Sequence, residues 1–169
     1  MIAVSSIFLL VGSSYKEKAD INKEEAAVKA AIQESSDAYH ARDFNRMSAI
    51  WVHNESIVRM NAGPGGSNYN QGWKGRETFY KKLFKDYPEL TGNREVNSNY
   101  NIKVYSQSAW AVYDVVVQNK TDGQIRVAKH TSILEKIKGQ WKLAYLSTAL
   151  TSPYENINKN LEISATYHK

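Results

Sequence analysis

The chain has 169 residues, 42% hydrophobic and 23% charged, with 22 Lys and Arg against 17 Asp and Glu. That length favours one domain that buries about 70% of its unfolded surface. The composition excludes a wholly disordered chain, a collagen-like repeat and a polytopic membrane protein, and the lack of cysteine excludes a disulfide framework, a thiolate nucleophile and a cysteine zinc site.

Met1 to Tyr15 carries no charged side chain and holds the apolar run Ile7-Phe8-Leu9-Leu10-Val11, too short for a span of about 20 residues. Small residues follow, with Val11 and Ser13 placed as the specificity positions of a cleavage site. Residues 1–15 thus read as a secretory signal, which predicts an exported protein, periplasmic or secreted. No Lys or Arg precedes the run, so a buried N-terminal strand in a cytoplasmic protein is the other reading. Beyond it, residues 20–152 read as one domain and residues 153–169 as a polar tail or short helix.

Asn22 followed by Glu25 fits a helix N-cap with its reciprocal partner. Val28, Ala31, Ile32 and Tyr39 then recur at helical spacing. Asp43 is a second N-cap candidate ahead of Phe44, Met47 and Trp51, and a turn near Ala41-Arg42 makes a helical hairpin. Ile57 to Met60 reads as a short strand. Gly63 to Gly75 holds five of the nine glycines and reads as a long loop of the kind that carries function. A third helix presents Phe79, Tyr80, Leu83, Phe84 and Tyr87 on one side and stops at Pro88.

From Glu95 to Thr148 the chain is β-rich. Asn101–Tyr105 and Ala109–Gln118 pair first, and Thr121-Asp122-Gly123 makes a turn. Arg126–Lys136 and Gln140–Thr148 form a second pair joined through Lys138-Gly139. Helices first and a meander of antiparallel strands last is an α+β plan with helices on one sheet face.

Certain residues in this order resemble a known family. They are Ala38-Tyr39 and Asp43-Phe44 in the first hairpin, Gly75 opening the third helix, and Ala109-Trp110-Ala111-Val112-Tyr113. His130-Thr131-Ser132-Ile133-Leu134 and the Gly139-Gln140-Trp141-Lys142 turn complete the set. The stretch from residue 23 to about 150 is similar to the SnoaL-like branch of the nuclear transport factor 2-like superfamily. The resemblance implies a cone: a strongly bent antiparallel sheet wrapped around the N-terminal helices, with a cavity at the wide end. It also implies a homodimer through the sheet. Relatives include ketosteroid isomerase-like and polyketide cyclase-like enzymes, dehydratases and non-catalytic members, so the fold alone does not select a function.

Strand parity limits what shares the cavity. Tyr113 and Asp114 point to opposite faces. An inward Asp114 among apolar neighbours would be a general base; an outward one would pair with a lysine or arginine across the strands. An inward Tyr113 would orient a ligand carbonyl. His130, sharing a face with Ala128, Ser132 and Leu134, is a second acid–base candidate or a surface histidine. Arg59 interrupts its apolar strand and, facing inward, would anchor a carboxylate or enolate. Trp73 either closes the cavity mouth or packs under its loop, and Trp51 and Trp141 read as core.

The glycine-rich loop lacks a phosphate-binding motif, because Arg76 and Glu77 follow Gly75, and no nucleophile elbow is present. His40, His53 and His168 share no ligand spacing with His130. Neither cofactor nor metal is expected. Basic residues are interleaved with acids, which argues against nucleic acid, and after processing nothing would bind a membrane. The expected partner is a small apolar or carbonyl-bearing ligand, bound by a small-molecule-binding protein with an apolar cavity. The alternatives are an isomerase, cyclase or dehydratase working by proton transfer, and an interaction module using its open sheet face.

Overall fold

The computed structural model describes residues 7–63, 66–89, 92–120 and 123–150. The tail expected at 153–169, Met1 to Ser6 of the expected signal, and Thr121 and Asp122 of the expected turn lie outside the described residues. Helix α1 spans Ile7–His40 and α2 spans Phe44–Ile50. They are followed by β1 (Val58–Gly63), β2 (Gly66–Gln71), α3 (Trp73–Asp86), β3 (Arg94–Val104), β4 (Ser108–Gln118), β5 (Ile125–Ile137) and β6 (Gln140–Leu150). Among the described residues no helix is long and apolar enough to cross a membrane.

Two boundaries differ from the expectation. Asn22 does not cap a helix, because α1 runs through it from Ile7; Ala, Lys and Glu dominate residues 16–30, and nothing there breaks a helix. The apolar run Ile7–Val11 is therefore helical and not a strand. The supposed loop from Gly63 to Gly75 contains β2 and the first turn of α3. Ser67, Asn68, Tyr69, Asn70 and Gln71 show no apolar alternation because β2 is an exposed edge strand with little to bury.

The helical hairpin forms as its capping residue dictates. Asp43 accepts a 3.0 Å hydrogen bond from the Arg46 backbone N–H, which satisfies an orphan donor of α2. Behind it Met47 and Trp51 are fully buried. Among the described side chains of α1, Val28, Ala31, Ile32, Ser35 and Ala38 are buried, while Tyr39 of the expected stripe is half-buried.

The six strands form one curled sheet in the order β2-β1-β6-β5-β4-β3. All pairings are antiparallel except that of β1 with β6, which is parallel. Two register shifts, at Ser98/Asn101 in the β3–β4 pair and at Ile133/Leu134 in the β5–β6 pair, supply the local bend and twist that bulges introduce. The β5–β6 turn places Lys138 at φ 50° and Gly139 at φ 81°, the paired left-handed conformations of a two-residue hairpin.

The core lies between the concave sheet face and the helices, where Ala109, Ala111, Tyr113 and Val115 of β4 alternate inward. Trp141 is also buried, and its indole N–H donates to Glu24 Oε2 at 2.8 Å while Lys136 holds Glu24 Oε1. This ties α1 to the β5–β6 hairpin.

Candidate functional site

Between the sheet and the helices lies a cavity of about 440 Å³, within the size range of small-molecule sites. Its inner wall is apolar, with Ile32, Met47, Val115 and Leu143, and polar groups enter from several elements.

Strand parity decides between Tyr113 and Asp114. Tyr113 faces inward, is 3% exposed and lines the cavity. Its hydroxyl lies 3.2 Å from Ser132 Oγ, and its ring stacks on Tyr100 at 5.0 Å. Burial pushes both phenols up, Tyr100 to about 12, so each stays protonated. Asp114 is on the other face, and the inward general base expected of it is corrected. It pairs with Lys129 on β5 and accepts from Asn99 Nδ2 at 2.9 Å; these partners hold its carboxyl below the usual range. The physical reason is register: Asp114 is directly opposite Lys129, and opposite charges on an exposed sheet face attract.

His130 does line the cavity, directly across from Tyr113 with the rings edge to face at 5.4 Å. Its Nε2 lies 2.9 Å from Thr148 Oγ1. Burial, then the Arg59 guanidinium, push its pKa down to about 4 against the opposing pull of Glu95. At neutral pH the ring is therefore uncharged.

Arg59 also faces the cavity. Its guanidinium donates to the carbonyls of Met60 and Leu146 and to Thr148 Oγ1 at 2.8 Å. Thr148 thus joins Arg59 to His130. Burial and the neighbouring Arg76 push Arg59 down to about 10.

Trp73 is not brought to the cavity. It opens α3 and stacks flat on His53 at 4.1 Å, anchoring the start of the helix.

Arg76, Glu95 and His40 are among the cavity side chains that the sequence did not single out. Arg76 is 6% exposed; its Nη2 donates to the Tyr80 hydroxyl at 2.8 Å, and its Nε has no hydrogen-bond partner. Its guanidinium stacks on Tyr80 and Phe79 at 4.1 and 4.6 Å. The signal was legible: Arg76, Tyr80 and Phe84 are spaced by four along α3, which puts the arginine on the buried stripe. Glu95 Oε2 and His40 Nε2 lie within hydrogen-bond distance at 2.9 Å, with side chains 14% and 18% exposed. Burial raises the Glu95 carboxyl, but His40, the Ser36 hydroxyl and His130 together outweigh it and hold the group below its ordinary value. An acid at a strand start and a histidine at a helix end carry no pattern that links them.

Charge is unevenly matched inside this space. Among the described residues no carboxylate lies within ion-pair distance of Arg59 or Arg76. Nor do three His, Cys, Asp or Glu side chains converge as metal ligands.

A curled sheet closed over a helical layer, with a hollow lined from both, defines a cone-shaped α+β protein. The SnoaL-like domain family matches residues 28–151, and the chain belongs to that family. A cystatin-like-fold protein from Nostoc punctiforme superposes with a TM-score of 0.62 at 15% identity, covering 77% of this chain and 92% of that one. A nuclear transport factor 2-like protein from Novosphingobium aromaticivorans gives 0.63 at 14% identity, with 89% and 93% covered. A ketosteroid isomerase-like protein from Erwinia carotovora atroseptica gives 0.55 at 19% identity, with 78% and 99% covered. At such identities the likeness is one of fold. No curated protein sequence matches the chain.

Proposed function

We propose that this protein binds a small organic carboxylate in its cavity. The observation that carries the reading is the pair Arg59 and Arg76, two of the four arginines that line the cavity with Arg42 and Arg126, neither of the pair having an acidic partner among the described residues. A buried charge without a counter-charge is costly, and two that repel one another are costlier. An anion entering between them would relieve both. This narrows the expected apolar or carbonyl-bearing ligand: the wall is apolar, and the groups that would orient a ligand are cationic.

The test uses 3-phenylpropanoate and its neutral isostere 3-phenylpropanamide in isothermal titration calorimetry at pH 7. The acid is expected to bind at least tenfold tighter than the amide, and Arg76→Gln to remove that preference. Equal affinity for the two would overturn the reading.

One observation favours a second reading, a proton-transfer enzyme of the isomerase or lyase type. An uncharged His130 in the cavity would serve as base, with Tyr113 or Arg59 facing developing oxygen charge. The reading predicts exchange of a ligand α-proton with solvent deuterium that His130→Gln abolishes.

Export and dimerisation belong to the same proposal. Export rests on the apolar run Ile7–Val11. A homodimer is supported by the outward row Trp110, Ile133 and Tyr145, paired across β4, β5 and β6, with Ile133 42% exposed.

A further inference from the structure

The cavity lining carries four arginines, Arg42, Arg59, Arg76 and Arg126, and one carboxylate, Glu95; Arg59 and Arg76 make one pole and Glu95 the other, and these two poles do not pair. Arg59 enters from β1 and Arg76 from α3, while Glu95 enters from β3 with His40 of α1 against it. In the sheet order, β1 and β3 are four strand positions apart, and the curl of the sheet brings both to one cavity. His130 on β5 stands midway, and it feels the positive end and the negative end at once. Among the described residues Glu95 lies within ion-pair distance of His40 and of neither Arg59 nor Arg76.

Both poles therefore present unused capacity to the same space. A carboxylate offers about four lone-pair positions, and His40 takes one. The cavity lining also carries aromatic surface from Tyr39, Tyr80, Phe79 and Tyr113, with Phe79 and Tyr80 against Arg76.

We propose that the ligand is a hydroxylated aromatic acid, its carboxylate held by Arg59 and Arg76 and a hydroxyl at its far end donating to Glu95. The proposal rests on the carboxylate reading above and adds the second anchor. A hydroxyl suits the second pole better than an ammonium group. His40 is already against the carboxylate, and its cationic form would repel a second cation, whereas a neutral O–H donor meets no such repulsion. The rings between would supply flat apolar contact along the ligand. An acceptor-only group at that end is disfavoured, because it would leave Glu95 facing lone pairs.

Calorimetric titration with three acids tests this on the unaltered protein. The probes are 3-(4-hydroxyphenyl)propanoate, 3-phenylpropanoate and 3-(4-methoxyphenyl)propanoate, with 3-(4-hydroxyphenyl)propanamide as the uncharged control. The hydroxy acid is expected to bind about tenfold tighter than the unsubstituted acid, and the methoxy acid no tighter than the unsubstituted one. In Glu95→Gln the affinity of the hydroxy acid relative to the unsubstituted acid, both measured on the variant, is expected to shrink to about threefold or less. Should the hydroxy and unsubstituted acids bind the unaltered protein equally, the second anchor is wrong and the carboxylate reading stands. Should the amide bind as tightly as its acid, both fall together. Because the comparison among acids needs no variant, a Glu95→Gln protein that fails to fold does not rescue the idea.

Discussion

His130 gives the site a measurable acid sensitivity. Burial and the Arg59 guanidinium lower its pKa from 6.5 to about 4 in the folded protein, while the unfolded chain titrates near the ordinary value. Between those two values the unfolded state binds a proton that the folded state refuses. Stability therefore rises with pH across the interval and is lost on acidification. At about 1.4 kcal/mol per pH unit, the loss attributable to this imidazole is about 3 kcal/mol, complete near pH 4. Glu95 acts lower down: its carboxyl is held below the ordinary value, so its contribution persists above about pH 4.5 and disappears as pH falls through its folded value. Urea denaturation from pH 7.5 to 4, on the unaltered protein and on His130→Gln, separates the two. The glutamine amide can keep the bond to Thr148 but cannot titrate. The unaltered protein is expected to lose about 3 kcal/mol more than the variant over the range. Parallel losses in the two proteins would refute a neutral, buried imidazole.

Other perturbations probe the remaining parts of the argument. Arg76→Met removes a 6%-exposed cation with no acidic partner among the described residues, and should stabilise the unliganded protein by about 1 kcal/mol, read as a higher Tm. A lower Tm would show that its ring contacts outweigh its desolvation. Asp114→Asn alters an outward pair with Lys129, so its cost should stay below about 1 kcal/mol and the affinity for 3-phenylpropanoate should not change. Leu134→Ala hollows a fully buried position and should cost about 2–5 kcal/mol in chemical denaturation.

The fold was largely legible because its cues are local and periodic. Asp43 capping α2, the alternation of β4 and the Lys138-Gly139 turn each depend on neighbours a few residues away. β2 was hidden for the opposite reason: an edge strand with polar residues on both faces shows no period, and its glycines read as loop. The parallel contact of β1 with β6 was equally invisible, since pairing at a separation of 87 residues leaves no mark in either segment.

At the site, parity narrowed Tyr113 and Asp114 to a choice of one, but which face turns inward is set by the helices that cover it. Arg59 and His130 were legible as polar interruptions of apolar strands. Trp73 was misleading because an aromatic among glycines looks the same whether it guards a mouth or packs on His53. Arg76, Glu95 and His40 come from three separate elements, and only the closed cone brings them into one space.

The parallel seam between β1 and β6 also sets an order of events during synthesis. β1 emerges early, yet one of its two flanking strands is the final one, with Arg59 donating to the Leu146 carbonyl across 87 residues. At about 5–20 residues per second, the ribosome takes about 4–17 s to deliver that missing neighbour. Throughout this wait β1 lacks its parallel neighbour, and the space that Arg59 lines stays an open trough without Leu143, Leu146 and Thr148. Only the arrival of the last strand turns the trough into a chamber, so truncating the chain before residue 146 should abolish the chamber while leaving the helical hairpin sequence intact.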